Sequence, residues 1–69
     1  MKLTVIIEKD EHGYFAYCPE FKGCMSQGDS FDEAMANIKE AIELYLETLT
    51  EEEKKGLLRK EIHTSTVEV

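Results

Sequence analysis

The stretch from Ser30 to Leu49 constrains the fold of this chain more than any other part of the sequence. Apolar residues recur there at spacings of three and four, which is the repeat of a helix with one apolar face. Ser30 and Glu33 form an S-x-x-E pattern that is typical of a capped helix start. The apolar face must pack on another element. Its members are Phe31, Ala34, Met35, Ile38, Ala41, Ile42, Tyr45, Leu46 and Leu49.

Three short strands are predicted before this helix. Residues 2–9 alternate apolar and polar side chains and are rich in β-branched residues, as expected for a strand covered on one face. Residues 10–13 form a turn in which Gly13 can adopt positive φ, and residues 14–18 return as the second strand. Residues 24–28 supply the third. Consecutive short strands with short connections predict an antiparallel meander.

The segments after the long helix predict one further helix and one further strand. Thr50 and Glu53 repeat the capping pattern, so a second helix is expected from Glu51 to about Leu58. Residues 61–69 are mostly β-branched and favour a terminal strand. A strand reached through a helix can pair in parallel with the first strand by a right-handed crossover. We therefore predict an α+β fold in a single domain, residues 1–69, with the sheet order 3-2-1-4.

The long helix is longer than the sheet it would cover. From Phe31 to Leu49 it spans about 28 Å, whereas a five-residue strand spans about 17 Å. The apolar residues at its far end therefore need cover from the rest of the chain or from a second subunit. A chain of 69 residues also has a thin core, which association commonly compensates. We expect a homodimer or higher homo-oligomer with an interface at Tyr45, Leu46 and Leu49.

Acidic residues are concentrated in one part of the chain. The formal net charge is −7, and residues 31–53 hold eight acidic residues and one lysine. Such a run is either the solvated face of helices or a surface complementary to a basic partner. The basic residues of segment 54–60 are too few and too diluted to neutralise a phosphate backbone. We therefore expect no direct nucleic-acid binding.

The sequence carries no sign of export or membrane insertion. No apolar run reaches the roughly eighteen residues of a membrane span. The amino-terminal residues MKLTVIIEKDEHG place charges directly after a short apolar strand and contain no small-residue cleavage site, so we expect no signal peptide. The predicted location is the cytoplasm, without a membrane partner.

The sequence contains two cysteines, Cys18 and Cys24. Three interpretations are open: packed free thiols, a disulfide across the hairpin, or a metal or redox site. Free thiols are favoured, because cysteine is among the most buried residue types and a cytosolic redox poise disfavours disulfides. A C-x5-C pair without a second pair of ligands matches no established zinc spacing.

No catalytic constellation is evident in the sequence. There is no nucleophile elbow, P-loop or zinc-protease helix. His12 falls in a predicted turn and His63 in the predicted terminal strand, and no nearby motif supplies a nucleophile or an orienting carboxylate. We therefore expect neither an enzyme nor a bound metal or cofactor.

An ordered series of short motifs gives the most specific indication of function. In order, the motifs are Gly13-Tyr14, Cys18-Pro19-Glu20-Phe21, Gly23-Cys24, Gly28-Asp29-Ser30, Glu33-Ala34 and Asn37-Ile38-Lys39-Glu40-Ala41. The series resembles the HicB family, the antitoxin half of the HicA–HicB toxin–antitoxin pairs. The resemblance covers roughly residues 1–50.

This resemblance implies a fold like a trimmed ribonuclease H domain and a function as an antitoxin. Proteins of the HicB family bind and neutralise HicA-like toxins, which are small basic ribonucleases that cleave mRNA with a histidine. Many also carry a second, DNA-binding domain, which residues 1–69 do not contain. Ribonuclease H chemistry needs several carboxylates that converge on Mg²⁺ ions, and nothing in this sequence fixes such a convergence. We therefore expect no nuclease activity.

An acidic domain suits a basic toxin, since its field would speed encounter while packed contacts hold the complex. Candidate contact residues follow from residue type and expected exposure: aromatic side chains of the hairpin and acidic side chains of the long helix. They are Tyr14, Tyr17, Phe21, Glu40, Glu43 and Glu47. The alternative is a solitary HicB-like scaffold or regulatory domain that self-associates without a toxin.

Overall fold

Three short strands precede two helices in the computed structural model, which describes all residues from Met1 to Val69. The predicted α+β class, the antiparallel three-stranded meander and the two helices are confirmed. The elements are β1 (Ile6–Asp10), β2 (Gly13–Tyr17), β3 (Met25–Gly28), α1 (Phe31–Glu47) and α2 (Glu51–Leu58).

The sheet is built from two consecutive hairpins, in the order β1-β2-β3. Asp10 lies opposite Gly13 at the first turn, and the His12 N–H donates to the Asp10 carboxylate at 2.8 Å. Gly13 has a φ of 131°, a conformation that favours glycine, as the turn pattern predicted. The two hairpins fix the register of the three strands, and this register decides which side chains lie on the same face of the sheet.

Helix α1 packs on one face of the sheet, against β3 and β2. The sheet residues on this covered face are Ile7, Lys9, Tyr14, Ala16, Ser26 and Gly28. Between the two layers lies a core of six buried residues: Ala16, Cys18, Phe21, Cys24, Ala34 and Ile38. The opposite face of the sheet is covered by no element of the chain.

Gly28 allows α1 to start close to the sheet. A Cβ at this position would lie 2.6 Å from the backbone nitrogen of Ala34, which no real side chain tolerates. Ser30 caps the helix, its Oγ accepting from the Glu33 N–H at 3.0 Å, although the Glu33 side chain does not return a bond to complete a capping box. The Asn37 side-chain amide donates to the Gln27 carbonyl at 2.7 Å and ties the helix to β3.

The far end of α1 is covered by the rest of the same chain. The helix ends at Glu47 rather than Leu49. The Tyr45 ring stacks on Phe21 from the β2–β3 connection, with 4.4 Å between ring centroids and 22° between planes. Leu57 of α2 packs against the same core. Helix α2 occupies the predicted residues, and Thr50 and Glu53 form a complete capping box at its start.

Strand β1 is shorter than the predicted strand over residues 2–9. Its first residue, Ile6, lies opposite Tyr17, the last residue of β2. Beyond Tyr17 the chain turns away, because the Cys18 N–H donates to the Cys24 carbonyl at 3.0 Å and Pro19 has no N–H. Residues 2–5 therefore have no strand to pair with.

The predicted terminal strand and the sheet order 3-2-1-4 are not observed. The sheet has three strands, and residues 60–69 have no regular secondary structure. Near the start of this segment the Lys60 ammonium lies 3.5 Å from the Pro19 carbonyl, and Ile62 is half-buried. The residues beyond are exposed. A β-branched composition favours a pleated, half-buried surface, but it does not form a strand without a paired neighbour.

Candidate functional site

The uncovered face of the sheet, which we name the open face, presents two rows of side chains. Antiparallel register places one side chain from each strand in each row. The open face consists of Ile6, Tyr17 and Met25 in the first row and Glu8, Phe15 and Gln27 in the second.

The open face is unusually apolar for a solvated sheet surface. Antiparallel sheets that face water on one side normally alternate apolar and polar residues, with the polar ones outward. Here Glu8 is the one charged residue of the six, and Met25 and Phe15 are 68% and 36% exposed. The open face is therefore a candidate interaction surface.

A second surface, the acidic helix face, lies on the outward side of α1. Glu40, Glu43 and Glu47 follow each other at spacings of three and four, so they form a line along the helix. All three are exposed, and none is within ion-pair distance of a basic group. Unpaired carboxylates in a row project a negative field into solvent, which attracts cationic surfaces.

The predicted contact residues do not form one surface. Helix α1 separates the two sides of the molecule: Glu40, Glu43 and Glu47 lie on its outward face, and Tyr17 lies on the open face behind the sheet. A single compact partner could not contact both groups at their centres. The predicted site therefore divides into an acidic part and an aromatic part.

Phe21 and Tyr14 lie on neither surface. Phe21 is 3% exposed and fills the core beneath Tyr45, so its ring cannot reach a partner while the fold is intact. Tyr14 points to the covered side of the sheet, where it packs against the core and its ring lies 5.5 Å from the Lys9 ammonium. Phe21 is therefore not accessible to a partner.

The predicted oligomer residues serve internal packing in this chain. Tyr45 stacks on Phe21, and Leu46 and Leu49 are half-buried against the core. The sequence left two ways to cover the far end of α1: the rest of the chain or a second subunit. The β2–β3 connection and α2 of the same chain provide this cover. Tyr45 is 36% exposed and the adjacent Leu44 is 57% exposed, so apolar surface is still free beside these residues.

The open face includes residues that sequence reasoning did not select. Ile6, Phe15 and Met25 join Tyr17 there. Alternation along β2 already placed Phe15 and Tyr17 on the same side. The missing information was which side α1 covers, and the signal for it was residue size, since Ala16, Ser26 and Gly28 leave room for a helix.

The two cysteines of the β2–β3 connection, Cys18 and Cys24, are not activated for catalysis. Both thiols are free and buried, as the packed-thiol interpretation expects. Burial, together with a 3.5 Å hydrogen bond from the Cys18 thiol to Glu20, raises the pKa of Cys18 to about 11. Burial also raises the pKa of Cys24. A protonated thiol is a poor nucleophile, so the two buried thiols contribute to packing and are not activated as nucleophiles.

Glu20 connects the amino-terminal residues to the β2–β3 connection. Its second carboxylate oxygen accepts from the Thr4 N–H at 2.9 Å. Burial acts to raise the pKa of Glu20, but the hydrogen bonds that it accepts outweigh burial and lower the pKa below its usual value. An ionised Glu20 thus holds residues 2–5 against the loop.

No metal centre is assembled by the side chains. No three His, Cys, Asp or Glu residues lie close enough together to hold an ion. His12 and His63 are exposed beside Glu11 and Glu61, at 3.5 and 3.1 Å. Neither of the two helices has the length and apolar character that a bilayer crossing requires.

Comparison with known proteins identifies the kind of chain this is. Residues 3–68 match a family model described as HicB-like antitoxin of bacterial toxin–antitoxin systems. A UPF0150 protein of Helicobacter pylori J99 is 51% identical over 69 residues, covering all of this chain and 96% of the relative. A UPF0150 protein of Synechocystis PCC 6803 is 60% identical over 50 residues, which are 71% of this chain and 63% of the relative. No solved structure matches.

Proposed function

This chain belongs to the HicB-like antitoxin family of bacterial toxin–antitoxin systems, and from this premise we propose that it binds and occludes a small basic HicA-like toxin. Family membership supports the antitoxin role. The observation that supports a basic partner is the acidic helix face, where three exposed carboxylates stand unpaired in a line. The toxin would act on mRNA, so the two proteins would meet in the cytoplasm.

Inhibition would proceed by competition for the toxin's cationic surface. An RNA-cleaving protein holds its substrate through Lys and Arg side chains that neutralise phosphates. The carboxylates of Glu40, Glu43 and Glu47 would occupy the same cationic side chains and keep RNA from the catalytic histidine. No bond is made or broken by the antitoxin in this mechanism. Its field speeds encounter, and neighbouring packed contacts hold the complex.

The toxin-binding proposal is tested with a HicA-like protein from the same organism, taken from a reading frame that adjoins the gene if one is found there. We expect the wild-type chain to form a complex with that protein and to stop its cleavage of mRNA. In the variant Glu40→Gln/Glu43→Gln/Glu47→Gln, three charges are lost without a change in shape. Affinity should fall by about tenfold or more, and its dependence on salt should become weaker.

A matched control distinguishes an effect of the acidic helix face on affinity from an effect of the net charge of the chain. The variant Glu52→Gln/Glu61→Gln/Glu68→Gln removes three exposed carboxylates away from α1. It should retain wild-type affinity within about threefold, because none of these carboxylates belongs to the line that Glu40, Glu43 and Glu47 form on α1. Equal losses in both variants, or a complex that tolerates the α1 variant, would exclude the acidic helix face as the toxin site.

The alternative function is a solitary scaffold or regulatory domain without a toxin. The apolar open face supports this alternative, because a chain that associates with its own copies through such a face needs no other partner. Genomic context distinguishes the two functions, because an antitoxin requires a neighbouring reading frame for a small basic protein. If no such frame adjoins the gene and no basic protein is recovered with the purified chain, the solitary function is favoured.

The relation to a trimmed ribonuclease H domain, and the absence of enzymatic activity, both stay predictions. The order of a three-stranded meander followed by a helix supports the first of these predictions. Incubation with an RNA–DNA hybrid and Mg²⁺ or Mn²⁺ tests the activity directly. Turnover that disappears after substitution of a single carboxylate would overturn the proposal of a purely binding protein.

A further inference from the structure

We propose that a groove beside α1 binds an amphipathic helix that carries basic residues along one edge of its apolar face. This inference rests on the proposed function, under which the helix belongs to the toxin. The groove, which we name the amino-terminal groove, has a volume of about 270 Å³. Leu3 and Val5 form one wall, and Met35, Ile42, Glu43 and Leu46 form the other.

The groove exists because α1 does not lie over the whole sheet. The helix packs on β3 and β2. Leu3 and Val5 precede β1 and pack against the core with half-buried side chains. Their segment has no strand partner, and the Glu20 carboxylate holds it by accepting from the Thr4 N–H at 2.9 Å. An apolar wall therefore faces the flank of α1 with no element between them.

The shape and the apolar lining of the groove favour a helix over a small molecule. Seven of its nine lining residues are apolar, and Met35 among them is 37% exposed. Small-molecule pockets usually enclose about 300–1,000 Å³ and bury most of the ligand, whereas this groove is smaller and lies open to solvent. From Met35 to Leu46 it runs about 16 Å along α1. That length admits the anchors at i, i+3 or i+4 and i+7 by which an amphipathic helix binds a groove.

Charge at the groove selects a basic helix rather than a second copy of this chain. Glu43 lines the groove, and Glu40 and Glu47 lie next to it on the same side of α1. None of the three is within ion-pair distance of a basic group. Lysine or arginine at the edge of an incoming helix would supply the missing counter-charges. Both helices of a second copy are net negative, with five acidic residues against one lysine in α1 and three against two in α2.

The amino-terminal groove adjoins the acidic helix face, with which it shares Glu43. The open face, in contrast, lies on the opposite side of the sheet from α1. A partner attracted to the acidic helix face would therefore make its apolar contacts in the groove. Met35 and Ile42 would then belong to the toxin contact, and Tyr17 would not.

Substitution of Met35 tests the groove with the HicA-like protein. Met35→Lys places a cation among apolar residues, where a bound helix would remove it from water and where it repels basic side chains. Affinity for the HicA-like protein should fall about thirtyfold or more, as at the central residues of other interfaces. Leu44→Lys is the matched control, with the same charge change at an α1 residue that is 57% exposed and does not line the groove. Its affinity should stay within about threefold of the wild-type value.

A measurement on the wild-type chain covers the case in which Met35→Lys disturbs the fold, which circular dichroism would reveal. Addition of the HicA-like protein to the isotope-labelled chain should shift the NMR signals of the Leu3 and Met35 backbone amides more than those of Phe15 and Met25. The reverse order would place the apolar contact on the open face and overturn the proposal. A folded Met35→Lys variant that binds as tightly as Leu44→Lys would overturn it as well.

The combined results distinguish failure of the groove from failure of the antitoxin function. A complex that is weakened by loss of the acidic helix face but tolerates Met35→Lys would overturn the groove alone. If no complex forms, the toxin function is overturned, and a model amphipathic helix of leucine and lysine decides the groove. Binding of this peptide that Met35→Lys weakens and Leu44→Lys preserves would support a basic helix as the occupant. Binding that both variants weaken equally, or no binding, would overturn it.

Discussion

The two faces of the sheet differ in the size of their side chains. If hydrophobicity alone decided burial, the face with the larger apolar side chains would be the one that α1 covers. The covered face carries small residues, Ala16, Ser26 and Gly28, and the open face carries large ones, including Phe15 and Met25. The small residues let α1 approach the strands, and its side chains then fill the space and bury Ala16. Burial on this sheet thus follows from how closely the backbones of α1 and the strands approach, and the larger apolar side chains lie on the side that no helix covers.

The largest test of this difference is removal of the helix side chain that fills the space above the small residues. Ile38 is fully buried at the centre of the interface between α1 and the sheet. Ile38→Ala should lower the free energy of unfolding by about 2–5 kcal/mol, because it removes apolar contacts and leaves a cavity. Urea unfolding followed by circular dichroism measures the loss.

The matched control is the same substitution on the open face. Ile6 lies in the first row there, where water can fill the space that its side chain leaves. Ile6→Ala should lower the free energy of unfolding by less than half as much as Ile38→Ala. Similar losses at both positions would mean that the two faces are equally buried and would contradict the stated difference.

A smaller effect is expected when a side chain is added on the covered face. In Gly28→Ala the new methyl group would lie 2.6 Å from the Ala34 nitrogen and 2.9 Å from the Glu33 carbonyl carbon. Both are backbone atoms, so the start of α1 must shift away from β3. The free energy of unfolding should fall by about 1–3 kcal/mol, as for other overpacked sites. The thermal unfolding midpoint should fall with it.

Gly56→Ala is a control for which we expect the free energy of unfolding to change in the opposite direction. It lies in α2 with open space where a Cβ would project. Gly56→Ala should therefore stabilise the chain by about 0.5–1 kcal/mol through the higher helix propensity of alanine. A stabilising Gly28→Ala would show that α1 does not depend on a close approach to the sheet.

The sequence predicted the elements of this fold better than their contacts. Local signals determined the turn at Gly13, the cap at Ser30 and the whole of α2, because each depends on residues within a few positions of each other. The terminal strand failed because a strand exists only with a paired neighbour, which composition cannot supply. The length of β1 failed for a similar reason, since the turn after Tyr17 removes its partner.

The candidate site was predicted in part. The acidic helix face followed from helical spacing, because positions off the apolar stripe must face water. Phe21 was misassigned because its burial depends on a loop closed by Cys18 and Cys24 and on stacking against Tyr45, none of which is local in sequence. The open face required the register of all three strands together with the side that α1 covers.

The last test concerns Cys18, which continues the covered side of β2 beyond Ala16. Burial and the Glu20 carboxylate raise the pKa of Cys18 from 9.0 to about 11. Between these pH values the folded chain keeps the thiol proton and the unfolded chain loses it, so this contribution to stability is complete below pH 9.0 and is lost as pH rises through about 11. The stability difference between wild type and Cys18→Ala should therefore shrink over that range.

Urea midpoints of the two proteins at intervals from pH 8 to 11 give this difference, and ionisations common to both cancel. The open face again provides the control. Met25→Cys compared with Met25→Ala should show no such trend, because a thiol at this exposed position has the same solvent in the folded and unfolded chain. If the Cys18 difference stays constant up to pH 11 while the fold remains intact, the covered side of β2 does not exclude water at its end. The contrast between the two faces would then hold at Ala16 and Gly28 but would not extend to Cys18, beyond the end of β2.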